Sequence, residues 1–311
     1  VSTAFVFPGQ GSQSVGMLAE LAAAHPALRA AFDEAAQGAG VDLWALSQQG
    51  PEDQLNRTEF TQPALLAGSV GVYRAWIAAG GAVPTLLAGH SLGEYSALVC
   101  AGALDLHDAA ALVRERGRLM QDAVPAGVGA MAAVLGGDDA QIAEACAAVA
   151  GDEIVAPANY NSPGQVVIAG HAAAVDRALA RLAEQGVRKA VKLPVSVPSH
   201  TALMRGAAER LAERMAGITW RAPAVPVVQN ADARSFDGVD EIRAALARQL
   251  HQPVRWTACV EVLRARGATR LAECGPGKVL AGLVKRIDRA LDCRPLGAPD
   301  DFAAALAAWA G

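Results

Sequence analysis

Aromatic side chains are scarce, at 5 % of 311 residues, and charged ones make up only 19 %. Neither shortage points to disorder, because 52 % of the chain is hydrophobic, ample for burying a sizeable core. No excess of basic charge exists: 27 Lys and Arg stand against 31 Asp and Glu, a net charge of −4. Nucleic-acid binding, which needs a basic surface for phosphates, is therefore not expected, although a local basic patch could still meet an acidic partner. The five cysteines are an odd number, widely spaced and without a C-x-x-C pair. They suit buried thiols in a reducing cytosol better than a disulfide framework or a zinc site. No apolar run approaches the roughly 18–20 residues of a membrane-spanning helix. The opening residues carry no basic stretch ahead of an apolar one. A cytoplasmic protein, off the membrane, is the resulting expectation.

What is present is an alternation of short strand-like and longer helical runs, the signature of an α/β protein. Thr3–Phe7 reads as a first strand and ends in the turn Pro8-Gly9-Gln10-Gly11-Ser12. Helical stretches follow near 15–24, 26–36 and 63–79, with Pro26 and Pro63 fitting first-turn positions, where a missing N–H costs nothing. Residues 85–89 read as a second strand leading into a helix from Gly93. The middle differs: strands near 130–135, 153–160, 166–169 and 187–193, with helices at 138–148 and 172–184, give the order β-α-β-β-α-β. That is the split βαβ pattern of ferredoxin-like modules. We expect an inserted subdomain at 126–195, flanked by 1–125 and 196–311, which together form the catalytic core. In the second part, helices are expected near 202–215, 239–250, 256–266, 279–287 and 302–309, and strands near 225–228 and 269–273.

The strongest chemical signal is Gly89-His90-Ser91-Leu92-Gly93, a G-x-S-x-G elbow between a strand and a helix. Such a turn lifts the serine hydroxyl out of the sheet edge and places it at a helix N-terminus, where free N–H groups can hold an oxyanion. The N–H of Leu92, next after the serine, is the expected first donor. Gln10 is well placed to give the second from another loop at the carboxyl edge of the sheet, unless its segment is simply a glycine-rich turn. A phosphate-binding P-loop is excluded, since G-x-x-x-x-G-K-[ST] is absent.

A serine nucleophile needs a base, and six histidines compete. His25 lies in a helix break, His90 inside the elbow, His107 on a polar helix face and His171 at the start of a helix. His200 ends an extended, proline-punctuated segment, Pro194 to His200, and is preferred; His251 is the alternative. No acid completes a Ser–Asp–His order, so a Ser–His dyad oriented by backbone carbonyls or an amide is expected, with Gln249 a candidate for that neighbourhood. Along 105–122 an apolar stripe of Leu106, Ala109, Ala110, Val113, Gly117 and Met120 recurs at 100° per residue, and Arg114 and Arg118 project away from it. Arg116 falls on the flank of the stripe. A buried guanidinium needs a partner, so it makes an internal salt bridge or captures a substrate carboxylate.

Phe5 to Gln13, Gly89 to Ala97, Asn161-Ser162-Pro163-Gly164-Gln165, Pro198-Ser199-His200 and Gly275-Pro276-Gly277-Lys278-Val279 together resemble the malonyl-CoA:acyl-carrier-protein transacylase family. The likeness runs in order along essentially the whole chain. It implies an α/β-hydrolase-like core with a parallel sheet and an inserted ferredoxin-like subdomain. By the same resemblance Ser91 is the nucleophile, His200 the base, and Leu92 and Gln10 the oxyanion-hole donors. Arg116 binds the malonyl carboxylate, and Gln249 sits beside the dyad with its main chain orienting His200. The substrates implied are malonyl-CoA and holo acyl carrier protein, with no metal or other cofactor and a monomeric enzyme. Carrier proteins are acidic, so Lys189 with Lys192, Lys285 with Arg286, and Arg205 with Arg210 are candidate docking pairs. Rival readings are an acyltransferase for polyketide synthesis or malonate decarboxylase, a hydrolase using water as the second acceptor, and a non-catalytic carrier-binding scaffold, which an intact Ser91 and His200 disfavour.

Overall fold

The structure, a computed structural model, describes residues 2–309. Its strands are β1 (Ser2–Phe7), β2 (Leu86–Gly89), β3 (Gly129–Leu135), β4 (Val155–Ser162), β5 (Gln165–His171), β6 (Lys189–Lys192), β7 (Val227–Val228), β8 (Ala268–Glu273) and β9 (Asp292–Pro295). Five of them form a parallel sheet in the order β7-β2-β1-β8-β9, with β1 at its centre. In β1, successive side chains point to opposite faces. Phe5 and Phe7 enter one hydrophobic cluster, with the helices of the first half of the chain; Ala4 and Val6 enter another, with Val254, Trp256, Cys259 and Leu271. A strand covered on both faces reads as a continuous apolar run, as this one does.

The remaining four strands form an antiparallel sheet in the order β4-β5-β3-β6. With helices Asp139–Val149 after β3 and Ala172–Glu184 after β5, this is the ferredoxin-like βαββαβ arrangement. The small sheet is stitched to the larger unit beside Val254: Tyr160 N–H donates to the Val254 carbonyl at 2.9 Å, and Val254 N–H to that of Ala158 at 2.8 Å.

On the first face, helix Thr58–Ala78 is buried along most of its length, and helices Pro26–Ala39 and Leu106–Asp122 pack against it. Gly117 makes the second contact possible: a Cβ there would sit 2.6 Å from Glu59 Cα and 2.7 Å from the Thr58 carbonyl oxygen.

Several elements differ from the sequence expectation. Pro63 lies inside a helix that begins at Thr58, not in its first turn. Thr58, Glu59, Thr61 and Gln62 are buried polar residues, so the hydrophobic pattern conceals the true start. Helix Ala19–Ala24 is shorter than expected, because Gly16 and Leu18 adopt left-handed φ values of 87° and 62°. Helices Leu43–Gln49 and Glu52–Leu55 and strand β9 are additional elements. No helix among the described residues is long and apolar enough to cross a membrane.

Candidate active site

Strands β1 and β2 run in parallel with Phe7 opposite Gly89, so the loops that follow them leave the sheet edge side by side. Open α/β sheets place their ligand sites at this carboxyl edge. Both glycines of the elbow are sterically required. A Cβ on Gly89 would lie 1.9 Å from the Gly93 carbonyl carbon, and one on Gly93 2.0 Å from the Phe7 carbonyl oxygen. Ser91 between them has φ 50°, a strained conformation for a side chain with a Cβ. Asn230 holds it there: its Nδ2 donates to the Gly89 carbonyl at 2.7 Å, and its Oδ1 accepts the Ser91 N–H at 2.8 Å.

Ser91 Oγ lies 2.8 Å from His200 Nε2, and His200 Nδ1 lies 2.7 Å from the Gln249 carbonyl oxygen. Because a carbonyl only accepts, Nδ1 carries the ring proton and Nε2 is left to accept from the serine hydroxyl. His200 is 3 % exposed, and burial, followed by the positive charge of Arg116, pushes its pKa down to about 3. The imidazole is thus neutral and available as a base near neutral pH. No carboxylate takes the third place of a triad; a main-chain carbonyl occupies it. His251 is not brought to Ser91. His90 turns away, its Nε2 2.7 Å from Asn161 Oδ1 on β4 and its ring tilted against Trp256.

Arg116, 1 % exposed, projects to the same point from helix Leu106–Asp122. Its Nη1 donates to Gln62 Oε1 at 2.8 Å and its Nη2 to Gln249 Oε1 at 2.9 Å; Nη2 also reaches Ser91 Oγ at 3.3 Å. Its Nε is buried without a partner. The guanidinium lies over the Tyr95 ring at 5.5 Å. Of the two fates open to this arginine, the internal salt bridge is not formed among the described residues: neutral amides hold it, and Ser91 is within reach.

Gln10 and Leu92 lie on the two neighbouring loops. Each stands three residues beyond the paired Phe7 and Gly89, and neither backbone N–H has an intramolecular partner among the described residues. Gly9 allows the approach: a Cβ there would fall 2.6 Å from the His90 carbonyl oxygen.

Gln62, Gln229, Asn230 and Glu94 are site residues to which the sequence reading gives no role. Asn230 follows a two-residue strand and carries no local pattern. Glu94, fully buried, lies in the quoted run after the elbow. Its oxygens accept from Gln229 Nε2 at 2.9 Å, Asn230 N–H at 2.8 Å and Gln249 Nε2 at 3.1 Å. Burial pushes its carboxyl up to about 7, while these donors and Arg116 pull the other way. Among the described residues, no cluster of three or more His, Cys, Asp or Glu is arranged to hold a metal.

The acyl transferase domain family matches residues 4–292. The malonyl CoA-acyl carrier protein transacylase of Escherichia coli K12 is 57 % identical over 303 residues, covering 97 % of this chain and 98 % of the relative. That of Bacillus subtilis is 42 % identical over 304 residues, covering 97 % and 96 %. The crystal structure of the Xanthomonas oryzae malonyl-CoA:acyl carrier protein transacylase superimposes with a TM-score of 0.99 at 67 % identity, covering 100 % of this chain and 99 % of that one. A malonyl-transacylase in complex with a type II PKS acyl-carrier protein does so with a TM-score of 0.97 at 52 % identity, covering 99 % and 100 %. A buried serine–histidine pair on a strained elbow, set in this fold and matched along nearly its full length, assigns the chain to the acyl transferase family and, within it, to the malonyl-CoA:acyl-carrier-protein transacylases.

Proposed function

We propose that this enzyme transfers the malonyl group of malonyl-CoA to the phosphopantetheine thiol of acyl carrier protein through a malonyl-Ser91 ester, supplying malonyl carrier protein for fatty acid synthesis. His200 Nε2 takes the Ser91 proton as Oγ attacks the thioester carbonyl. The N–H groups of Gln10 and Leu92 receive the oxyanion. Collapse of the tetrahedral intermediate expels the CoA thiolate, which takes the proton from His200. The carrier thiol then gives its proton to His200 and attacks the ester, and Ser91 leaves with that proton. The Gln249 carbonyl holds the imidazole in one tautomer through both halves.

The observation that carries this reading is Arg116: a buried cation with neutral partners only, 3.3 Å from the serine oxygen. A malonyl carboxylate supplies the missing anion, whereas an acetyl group leaves it unpaired, at a cost of about 3–5 kcal/mol. A simple esterase has no use for such a group. The enzyme would act as a monomer in the cytoplasm, whose reducing conditions suit the free thiols. The residues 126–195 serve as a subdomain inserted between 1–125 and 196–311, with Asn161 bonded to His90 of the elbow. The acidic carrier would dock on exposed basic residues: Lys285 and Arg286 are unencumbered by ion pairs among the described residues, while Lys192 is already paired with Asp176.

Intact mass after mixing with malonyl-CoA alone, then with holo carrier protein, tests the reading. A malonyl adduct on Ser91 that passes to the carrier is expected, with little adduct from acetyl-CoA. Decay at one rate with or without carrier would identify a hydrolase, and no adduct would overturn the malonyl assignment.

A further inference from the structure

Two buried charges of opposite sign occur at the site without touching. Arg116 and Glu94 are separated by the side-chain amide of Gln249, whose Oε1 accepts from Arg116 Nη2 at 2.9 Å and whose Nε2 donates to Glu94 Oε2 at 3.1 Å. The same Nε2 also donates to the Ser91 carbonyl at 2.9 Å. Chemistry dictates this orientation of the amide. Turned over, its NH2 would face a guanidinium that can only donate, and its oxygen would face a carboxylate and a carbonyl that can only accept. Glu94 is itself held: Gln229 Nε2 and Asn230 N–H donate to it, and neither the elbow nor its helix can move without disturbing them.

Resting on the malonyl-transfer reading, we propose that Glu94 is a positioning residue for malonyl recognition. Its carboxyl oxygen fixes the Gln249 amide so that Oε1 holds the Arg116 guanidinium over Ser91. A direct ion pair would satisfy the guanidinium with a carboxylate of the protein; the intervening amide engages Nη2 through a neutral oxygen instead. The two duties of Gln249 are separable. Its main-chain carbonyl, fixed by helix Val239–His251, orients His200, whereas its amide orients Arg116. Disturbing the amide therefore weakens use of a donor with a carboxylate more than use of a donor without one.

The test measures Ser91 acylation by malonyl-CoA and by acetyl-CoA, read as intact mass against time, in the parent, Glu94→Ala and Glu94→Gln. Glu94→Ala is expected to lower the malonyl-to-acetyl ratio of kcat/KM by about tenfold, mostly through a raised KM for malonyl-CoA. Glu94→Gln keeps an acceptor for the Gln249 amide and should recover most of that ratio. If Glu94→Ala does not fold, Glu94→Asp replaces it: one methylene shorter, it cannot reach Asn230 N–H and the Gln249 amide together, and the ratio must again fall. Equal losses for both donors, tracking the folded fraction by circular dichroism, would overturn the proposal and make Glu94 a packing residue. Failure of the parent to form a malonyl ester would be a different result, and would remove the functional reading instead.

Discussion

Replacing Arg116 with alanine separates the recognition of the acyl group from the chemistry performed on it. In the structure the guanidinium is buried and held by Gln62 and Gln249, with an unpartnered Nε and an Nη2 3.3 Å from Ser91 Oγ. A malonyl carboxylate entering this space pairs with a charge already desolvated. Removing one member of such a pair strands the other, at about 3–5 kcal/mol. At about 1.4 kcal/mol for each factor of ten, the malonyl-to-acetyl ratio of kcat/KM for Ser91 acylation should fall by roughly two to three and a half orders of magnitude. Acetyl transfer, relieved of an unpaired cation, should not fall with it. A second readout comes from the same variant. Arg116 is, after burial, the main influence holding the His200 pKa down. Without it the imidazole protonates at a higher pH, and the acid limb of the acylation profile must move upward. Stopped reactions analysed by intact mass across pH give both quantities. An unchanged donor ratio, or an acid limb that moves downward, would refute the role given to Arg116.

Asn230→Ala should act on both donors alike, since it frees the Gly89 carbonyl and the Ser91 N–H that hold the elbow. A stability loss of about 2–3 kcal/mol in a urea titration should accompany equal falls in malonyl and acetyl acylation. Gly117→Ala should destabilise by about 1–3 kcal/mol, because the three atoms nearest its Cβ would be backbone atoms of helix Thr58–Ala78; calorimetric Tm checks this. Glu94 makes a pH prediction. Its carboxyl is raised from 4.5 to about 7 in the folded protein, so between those values the folded state binds more protons than the unfolded one, and stability falls as pH rises through that window. Relative to Glu94→Gln, the parent should lose up to about 3 kcal/mol between those limits, read from urea midpoints at each pH. Absence of that loss would show the group to be ionised throughout.

Where side-chain periodicity and stop signals coincide, the sequence is enough: helices Ala172–Glu184 and Val279–Ile287 begin and end where their apolar stripes do. Strand β9 escapes such reading, since Asp292 to Pro295 has no alternation, and Pro295 is tolerable because the strand lies at the sheet edge. The elbow is legible for a steric reason, as only glycine fits on either side of Ser91. Asn230 is not, because its two hydrogen bonds join residues 139 and 141 positions away, and no local pattern encodes such a meeting. Glu94 could be seen in the sequence but not interpreted. A carboxylate in the first turn of a mostly buried helix is a signal of function only once its surroundings are known.

The pairing of Phe7 with Gly89 bears on which parts of this chain can change length. The oxyanion hole proposed for Gln10 and Leu92 requires two separate strands to end at the same level and each to continue for three more residues. One residue inserted into either strand would displace its loop by about 3.3 Å, more than the span of a hydrogen bond. Helix Thr58–Ala78 must likewise keep Gln62 in phase with Arg116; the turns that precede that helix, and those of the small sheet, are under no such restriction. Insertions and deletions that preserve activity should therefore be confined to those segments, with β1, β2 and the three residues after each acting as a ruler whose length cannot drift.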